Sequence, residues 1–189
     1  MKSILELIDL DVLCEALYIT DKEPLKILDY GCGDGTLLAA LHGRVQPETM
    51  LFGFDISSDA VAAAKAKNIP NSEFYSGPAE EQLPIILKTA DVCIMSRVFH
   101  EIVEQKRVKI IMKEIHRVVQ SFGKVGIIEF KKNAKIDFGP PMSARLTPGG
   151  VERLLITEGF RHKDVIDLGP YMYLTTFELT GRADLFGNG

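Results

Sequence analysis

The segment of the sequence best suited to hold a ligand is a glycine-rich loop that follows an apolar run. Residues 27–35 read Ile-Leu-Asp-Tyr-Gly-Cys-Gly-Asp-Gly, so glycine occupies every second position from Gly31 to Gly35. Glycine lets the chain turn sharply and lets a ligand lie against bare backbone. The helix expected to begin at Thr36 presents unpaired N–H groups, which favour negative charge. The loop therefore predicts a small-molecule site or, without a ligand, a simple strand–turn–helix corner.

A carboxylate further along the chain has the spacing of an acid that binds ribose. Asp55 ends the next apolar run, twenty residues after Gly35. A carboxylate there accepts hydrogen bonds from both hydroxyls of a ribose, at the edge of the sheet where the strand order reverses. The nicotinamide fingerprint G-x-G-x-x-G would place glycine or alanine where Thr36 stands. A nicotinamide oxidoreductase is therefore a disfavoured alternative.

The side chains that follow the fourth expected strand are candidates for acid–base chemistry. His100 has an ordinary pKa near neutrality, and Glu101 is its neighbour. The alternative interpretation is a histidine that packs or caps and a glutamate that is solvated. The second histidine of the zinc-peptidase motif H-E-x-x-H is missing. The three cysteines are far apart and form no C-x-x-C pair, which argues against a disulfide framework and a metal site.

Alternating apolar runs and helical stretches indicate how these residues are positioned. The predicted strands are Leu25–Asp29, Met50–Asp55, Glu73–Ser76, Ala90–Ser96, Gly123–Phe130, Asp164–Leu168 and Tyr171–Leu179. The predicted helices are 3–18, Thr36–Gly43, Ala60–Lys67, 104–119 and a last one from Thr147-Pro148 to Gly159. Strands alternating with helices imply a doubly wound parallel sheet. The last two strands are joined only by Gly169-Pro170, which permits antiparallel pairing alone. The predicted fold is α/β, with a mostly parallel seven-stranded sheet that ends in an antiparallel hairpin.

Length and composition favour one soluble globular domain. The chain has 189 residues, of which 46% are hydrophobic, and a net charge of −4. We expect a single domain over 1–189, with an N-terminal helix in 1–20 and a substrate-side loop in 131–147 that either roofs a pocket or is an ordinary connector. The negative charge argues against a nucleic-acid partner, and no apolar run is long enough for a membrane span. The N-terminus does not resemble a secretory signal, so we expect a cytoplasmic monomer or homodimer.

The motif Asp29-x-Gly31-x-Gly33-x-Gly35 resembles motif I of the class I S-adenosylmethionine-dependent methyltransferases. The resemblance extends over nearly the whole chain, through residues 54–57, 77–84, 96–102 and 115–125 to the terminal hairpin. Within this family, the sequence most resembles the small-molecule branch around the ubiquinone and menaquinone methyltransferases. The resemblance implies a Rossmann-like methyltransferase fold, with S-adenosyl-L-methionine as the cofactor.

The resemblance also implies roles for individual residues. Gly31, Gly33 and Gly35 would lie under the methionine portion of the cofactor and Asp29 near its ammonium group. The full set of implied cofactor-binding residues is Asp29, Gly31, Cys32, Gly33, Gly35, Asp55, Ile56, Ala79, Glu80, Ser96 and Arg97. Asp55 would hold the ribose and Ile56 the adenine. The family's acid before Ala79 is replaced by Pro78, so either Glu80 or backbone would contact the adenine amino group.

The function that the resemblance implies is methyl transfer to a small-molecule acceptor by in-line displacement, with His100 and Glu101 as the catalytic candidates. Such a reaction depends on alignment and needs a base only if the nucleophile must lose a proton. No N-P-P-Y-like tetrad follows the fourth strand and no Pro-Cys nucleophile is present, which argues against amino-methylating DNA and release-factor enzymes and against cytosine C5 chemistry. The alternative is a non-catalytic protein or partner subunit that binds S-adenosylmethionine or S-adenosylhomocysteine, for which Pro78 and the small size are the support.

Overall fold

Seven strands form one mixed sheet that places the glycine loop near its centre. The computed structural model describes residues 2–86 and 88–180. The strands are β1 (Lys26–Tyr30), β2 (Met50–Asp55), β3 (Ser72–Ser76), β4 (Ala90–Ser96), β5 (Val119–Phe130), β6 (Phe160–Asp167) and β7 (Met172–Leu179). Their order is β3-β2-β1-β4-β5-β7-β6, with only β7 antiparallel to its neighbours. The predicted fold class is confirmed.

The strand order reverses beside β1, and this reversal locates the site. β1 pairs with β2 on one side and with β4 on the other, both in parallel. Asp29 lies opposite Gly53 of β2 and opposite Ile94 of β4. The loops that follow β1 and β4 therefore leave the sheet at the same edge, and the crevice between them is where ligands bind in open α/β sheets.

Six helices flank the sheet in the part of the chain that the structure describes. They are α1 (Leu10–Ala16), α2 (Thr36–His42), α3 (Ser58–Ala66), α4 (Phe99–Glu104), α5 (Val108–Val118) and α6 (Pro148–Thr157). Thr147 caps α6 by accepting a hydrogen bond from the N–H of Gly150, and Pro148 occupies the first turn as its sequence predicts. None of these helices is long and apolar enough to cross a membrane.

The N-terminal segment differs from the single helix predicted over 3–18. It contains a 3₁₀ turn at Ile4–Glu6 and then α1, which starts at Leu10. Asp9 interrupts the helix because its carboxylate accepts hydrogen bonds from the N–H groups of Asp11 and Val12 and so begins a new helix. The expectation of one helix in 1–20 was therefore wrong.

The helix predicted over 104–119 corresponds to α5, which begins only at Val108, and the separate short helix α4 that precedes it was not predicted. α4 ends at Glu104, and Lys106 adopts a left-handed conformation with φ of 58° before α5 begins. Residues 104–107 read Glu-Gln-Lys-Arg, and this run of four polar residues interrupts the apolar pattern between the two helices. The short α4 is the element that carries His100 and Glu101.

The core has two parts, one on each face of the sheet. Leu28 and Phe52 pack on one face, whereas Ile27 and Leu51 pack on the other, because successive strand residues point in opposite directions. The apolar face of α5 covers the first part, and the N-terminal segment and α2 cover the second.

The N-terminal segment is expected to contribute fully to the stability of the domain. Leu13 is completely buried, whereas Leu5 is 41% exposed. We expect Leu13→Ala to lower the free energy of unfolding by about 2–5 kcal/mol. Leu5→Ala serves as the matched control and should change it by less than about 0.5 kcal/mol. Equal effects of the two substitutions in chemical denaturation would contradict the inclusion of this segment in the core.

Candidate active site

One cleft of about 1180 Å³ opens at the carboxyl ends of β1, β2 and β4. Its walls come from the glycine loop, the end of β2, the segment after β4, α4 and the loop 131–147. Eight of the residues singled out in the sequence line it: Gly31, Asp55, Ile56, Ala79, Ser96, Arg97, His100 and Glu101. The cleft exceeds the range of about 300–1,000 Å³ that is usual for a single small ligand.

The remaining five candidates do not line the cleft. Asp29 is buried behind it, and Cys32 is packed in the core with its thiol 3.6 Å from the carbonyl oxygen of Gly33. Glu80 forms an ion pair with Arg107, whose Nε lies 2.8 Å from its carboxylate. The other two are glycines, Gly33 and Gly35, whose surroundings differ sharply.

The three glycines of the loop have different reasons to lack a side chain. A Cβ at Gly31 would lie 2.9 Å from the side chain of Val98, and one at Gly35 would lie 3.0 Å from the Cβ of Ala64. A Cβ at Gly33 would have no atom within 4 Å. Gly31 and Gly35 are therefore required by packing, whereas the backbone at Gly33 faces open space.

Asp55 holds the glycine loop in place. Its Oδ2 accepts a hydrogen bond of 2.8 Å from the N–H of Gly33, and its Oδ1 accepts one of 2.9 Å from the N–H of Ser57. The N–H groups of Gly31 and Cys32 donate to the carbonyl oxygen of Phe54 at 2.7 and 2.9 Å. A carboxylate has about four lone-pair positions, so both oxygens of Asp55 can accept a further hydrogen bond.

Asp29 is a buried acid that lacks a partner. Only 2% of its surface is exposed, and its Oδ1 has no hydrogen-bond partner among the described residues. Burial, and to a smaller extent the charge of Asp55, raises the pKa of Asp29 to about 7, although the charge of Arg97 opposes the shift. A cationic ligand group beside this carboxyl would supply the missing interaction.

An apolar surface borders the glycine loop on the side of β2. Ile56 is 59% exposed at the cleft, which is unusual for a large aliphatic side chain. The rings of Tyr30 and Phe54 are in contact, tilted by 35° with their centroids 4.9 Å apart, and the hydroxyl of Tyr30 donates to the carbonyl oxygen of Ala79 at 3.1 Å. This surface is suited to a flat aromatic group.

Arg97 combines a strained backbone with unpaired polar atoms. Its φ of 60° lies in the left-handed region, which costs a residue other than glycine about 1–2 kcal/mol. Its Nε and the hydroxyl of Ser96 are buried and have no partner within the described chain. Strain and unsatisfied donors at the edge of a cleft are typical of a position that contacts a ligand.

His100 is held by a glutamate that sequence reasoning missed. Glu129 of β5 is fully buried, and its carboxylate accepts a hydrogen bond of 3.0 Å from the backbone N–H of His100. The same carboxylate lies 2.9–3.0 Å from the ring Nδ1 of His100. Burial alone would lower the pKa of His100, but the contact with Glu129 and the nearby charges of Glu101 and Glu104 raise it overall. The available sequence signal was an acid within the otherwise apolar run Ile127–Phe130.

The loop 131–147 packs over the cleft. Gly139, Pro140 and Pro141 line it, and the ring of Phe138 contacts that of Phe130 edge-on with centroids 6.2 Å apart. Arg145 is buried and donates hydrogen bonds to the carbonyl oxygens of Pro140 and Ala134. The loop is therefore fixed from inside by a side chain.

Neither a disulfide nor a metal cluster accompanies this site in residues 2–86 and 88–180. All three cysteines are free and buried, and no group of three or more potential ligands is placed to hold a metal ion.

A sheet of this order with an antiparallel last strand, and a glycine loop at its reversal point, defines the class I methyltransferases. A model of the methyltransferase domain family matches residues 27–123, half of the chain. The chain belongs to this family and is an S-adenosylmethionine-dependent methyltransferase.

Solved structures share this fold. An S-adenosylmethionine-dependent methyltransferase from Aquifex aeolicus is 27% identical, covers 95% of this chain and 94% of its own, and has a TM-score of 0.83. One from Methanosarcina mazei is 18% identical over 84% of this chain and 94% of its own, with a TM-score of 0.67. The [4+2]-cyclase SpnF shares the fold at 18% identity and a TM-score of 0.71, over 90% of this chain and 79% of its own. No curated protein matches the sequence.

The unpaired carboxyl of Asp29 should make the stability of the protein depend on pH. The folded state keeps its proton up to about pH 7, whereas an unfolded aspartate loses it near pH 4. Stability should therefore fall as pH rises through this window, by up to roughly 4 kcal/mol. Asp29→Asn should remove most of that fall, which denaturation between pH 4 and 8 without ligand will measure. An unchanged pH dependence would contradict the burial of a protonated Asp29.

Proposed function

We propose that this methyltransferase transfers the methyl group of S-adenosylmethionine to a small-molecule acceptor that binds in the same cleft. The observation that carries the proposal is the continuity of the cleft, which reaches from the glycine loop to α4 and the loop 131–147. Its volume of about 1180 Å³ is enough for a cofactor and a second small molecule together.

The glycine-loop end has groups that fit S-adenosylmethionine, which supplies an electrophilic methyl group on a sulfonium when bound. The unpaired carboxyl of Asp29 would accept hydrogen bonds from the ammonium group, and the unpaired Nε of Arg97 would donate to the carboxylate of the methionine portion. The chain of the cofactor would run past Gly31, which lines the cleft, and the neighbouring Gly33, with the unpaired hydroxyl of Ser96 as a donor. Asp55 would accept hydrogen bonds from the ribose hydroxyls.

The apolar surface next to Asp55 fits adenine. Ile56 would cover one face of the ring, and the segment at Ala79 would meet its edge. Because Glu80 is paired with Arg107, we assign the adenine amino group to backbone acceptors near Ala79 rather than to Glu80. Three residues would contribute to cofactor binding indirectly, by giving the glycine loop its shape: Gly31, Cys32 and Gly35.

The other end of the cleft fits an acceptor with an apolar body. Val98, Ile102, Ile111 and Leu146 form the apolar part of its walls, Glu104, Gln105 and Arg107 line it as well, and the prolines of the loop 131–147 form a roof. A roofed, apolar pocket excludes water and fixes the angle of approach, which supplies much of the rate of an in-line displacement. Quinols of the kind used by the ubiquinone and menaquinone branch are the first acceptors to test.

His100 is our first candidate for a base at this end, and Glu101 is the second. His100 lines the cleft and follows β4 closely, so it lies on the acceptor side of the cofactor groups. The Oε1 of Glu101 lies 3.9 Å from the Nε2 of His100, and the Glu101 side chain is 54% exposed. Because Glu101 faces solvent more than His100 does, we place it second.

Ligand binding gives the most direct test of the proposed function. S-adenosylmethionine at a hundred times its Kd should stabilise the folded protein by about 2.7 kcal/mol in a thermal unfolding assay, and NAD should not. A methyl-transfer screen across quinols, small acids and metalloid thiols should then yield a methylated product. Methylation of none of them, with tight cofactor binding, would contradict the small-molecule acceptor.

Asp55→Ala should weaken the binding of S-adenosylmethionine by roughly 2 kcal/mol, because it removes two charge-assisted hydrogen bonds to the ribose and loosens the loop at Gly33. Asp59→Ala, which removes an exposed carboxylate from the first turn of α3, is the matched control and should bind normally. Calorimetry measures both affinities, and equal values would refute the ribose assignment.

His100→Ala should lower kcat by a factor of about 10² and leave the affinity for S-adenosylmethionine unchanged, because the side chain would act on the acceptor alone. Steady-state kinetics and calorimetry on the same preparation measure the two effects. A variant that loses stability but keeps its kcat would show that His100 only packs.

A further inference from the structure

We propose that Glu129 is the positioning residue for His100, and that the pair selects an acceptor whose nucleophile is a neutral hydroxyl group. This inference rests on the proposed function and specifies the acceptor more narrowly. The geometry that points to it is a fully buried carboxylate that holds both the backbone N–H and the ring of one cleft-lining histidine.

The contact with Glu129 determines which ring nitrogen of His100 faces the cleft. Both carboxylate oxygens lie within 3.0 Å of Nδ1, so the proton of the neutral ring resides on Nδ1 and is donated to Glu129. Nε2 then carries the lone pair. The bond from the backbone N–H to Oε1 of the same carboxylate fixes the start of α4 relative to β5, and the ring cannot rotate without losing its partner.

A proton acceptor at this position has a use only if the nucleophile arrives with a proton. The oxygen of a hydroxyl acceptor would form a bond to the methyl carbon while the carbon–sulfur bond breaks and its electron pair goes to sulfur. The hydroxyl proton would pass to Nε2 of His100, and the imidazolium so formed would be stabilised by Glu129. The charge of the sulfonium is lost, and one positive charge appears on His100, so charge and atoms balance.

The charges around the pair also favour a neutral acceptor. Glu101 and Glu104 face His100 from α4, and Glu129 faces it from β5. An acceptor that is already ionised, such as a carboxylate or a thiolate, would meet these three acids and would have no proton to give. Arg107 also lines this end of the cleft but is paired with Glu80, so the apolar side chains together with the three acids near His100 fit a neutral hydroxyl on an apolar body.

The remaining groups near the pair predict the form of the pH dependence. Arg97 approaches Glu129 from the segment after β4, and Tyr173 lies opposite Glu129 on β7. Burial raises the pKa of Tyr173 beyond the neutral range, and Arg97 stays positively charged, so neither changes its charge near pH 7. Burial tends to lower the pKa of His100, but the three acids outweigh it and raise the pKa overall. The rate should therefore rise with pH through a limb above the ordinary histidine pKa of about 6.5, because only the neutral ring accepts a proton.

The experiment compares Glu129→Gln with the unchanged enzyme and with Glu104→Gln. Glutamine can still accept the two hydrogen bonds from His100 but cannot stabilise its imidazolium. We expect Glu129→Gln to lower kcat about 10²-fold or more with a hydroxyl acceptor. The limb of the pH–rate profile should move to lower pH, and so should the titration of His100 measured by NMR. Glu104→Gln removes an equal charge without touching Nδ1 and should move both by less. Glu129→Asp, which restores the charge, should recover part of the activity.

Separate outcomes bear on this inference and on the proposed function. Unchanged kcat and an unchanged pH limb in Glu129→Gln, or a preferred acceptor that is a carboxylate or a thiolate, would overturn the role of the pair and leave methyl transfer intact. If the unchanged enzyme does not bind S-adenosylmethionine, the proposed function itself is overturned. If Glu129→Gln does not fold, the nitrogen chemical shifts of His100 in the unchanged protein decide the matter, because a proton on Nε2 rather than Nδ1 in the neutral ring contradicts the proposal.

Discussion

The pairing of β1 between β2 and β4 is the constraint on which the rest of this protein depends. Because both neighbours run parallel to β1, the chain must leave all three strands at the same edge of the sheet. That edge brings together the glycine loop, Asp55 at the end of β2 and the segment that begins at Ser96. The continuation to β5 adds Glu129 beneath the same edge. Residues a hundred positions apart become neighbours through backbone pairing alone.

The site contains several arrangements that reduce stability. Asp29 and Glu129 are acids with almost no exposure, and Arg97 has a left-handed backbone. Burial of an acid costs free energy unless hydrogen bonds and charges compensate, as His100 does for Glu129. Asp29 has only partial compensation. Such features persist because the surrounding sheet and two-part core hold them in place, and they concentrate at the cleft beside the glycine loop, where a ligand can complete them.

The fold by itself does not determine the reaction. The same architecture is shared by methyltransferases and by a [4+2]-cyclase, and the identities to most of these structures are low. The chemistry therefore has to be argued from side chains. In this chain the informative ones are Asp29, Ser96 and Arg97, each with a polar atom that lacks a partner among the described residues at the glycine-loop end, and the His100–Glu129 pair at the other end.

Local sequence patterns were sufficient for the class of fold. The glycine loop, the alternation of strands and helices and the short Gly169-Pro170 connection are signals encoded within a few residues, and the sheet order confirms what they predicted. The caps at Ser57 and Thr147 are equally local, because each side chain accepts a hydrogen bond from an N–H group three residues ahead.

What the sequence did not reveal depends on contacts between distant segments. Glu129 lies 29 positions after His100, and only the packing of α4 against β5 makes them partners. The different surroundings of Gly31, Gly33 and Gly35 follow from Val98 and Ala64, which no spacing rule within the loop indicates. The sequence by itself determined which residues could do chemistry and the order of the elements that carry them. The tertiary structure alone decided which of them meet, because burial and partner geometry are properties of the packed sheet and not of any short segment.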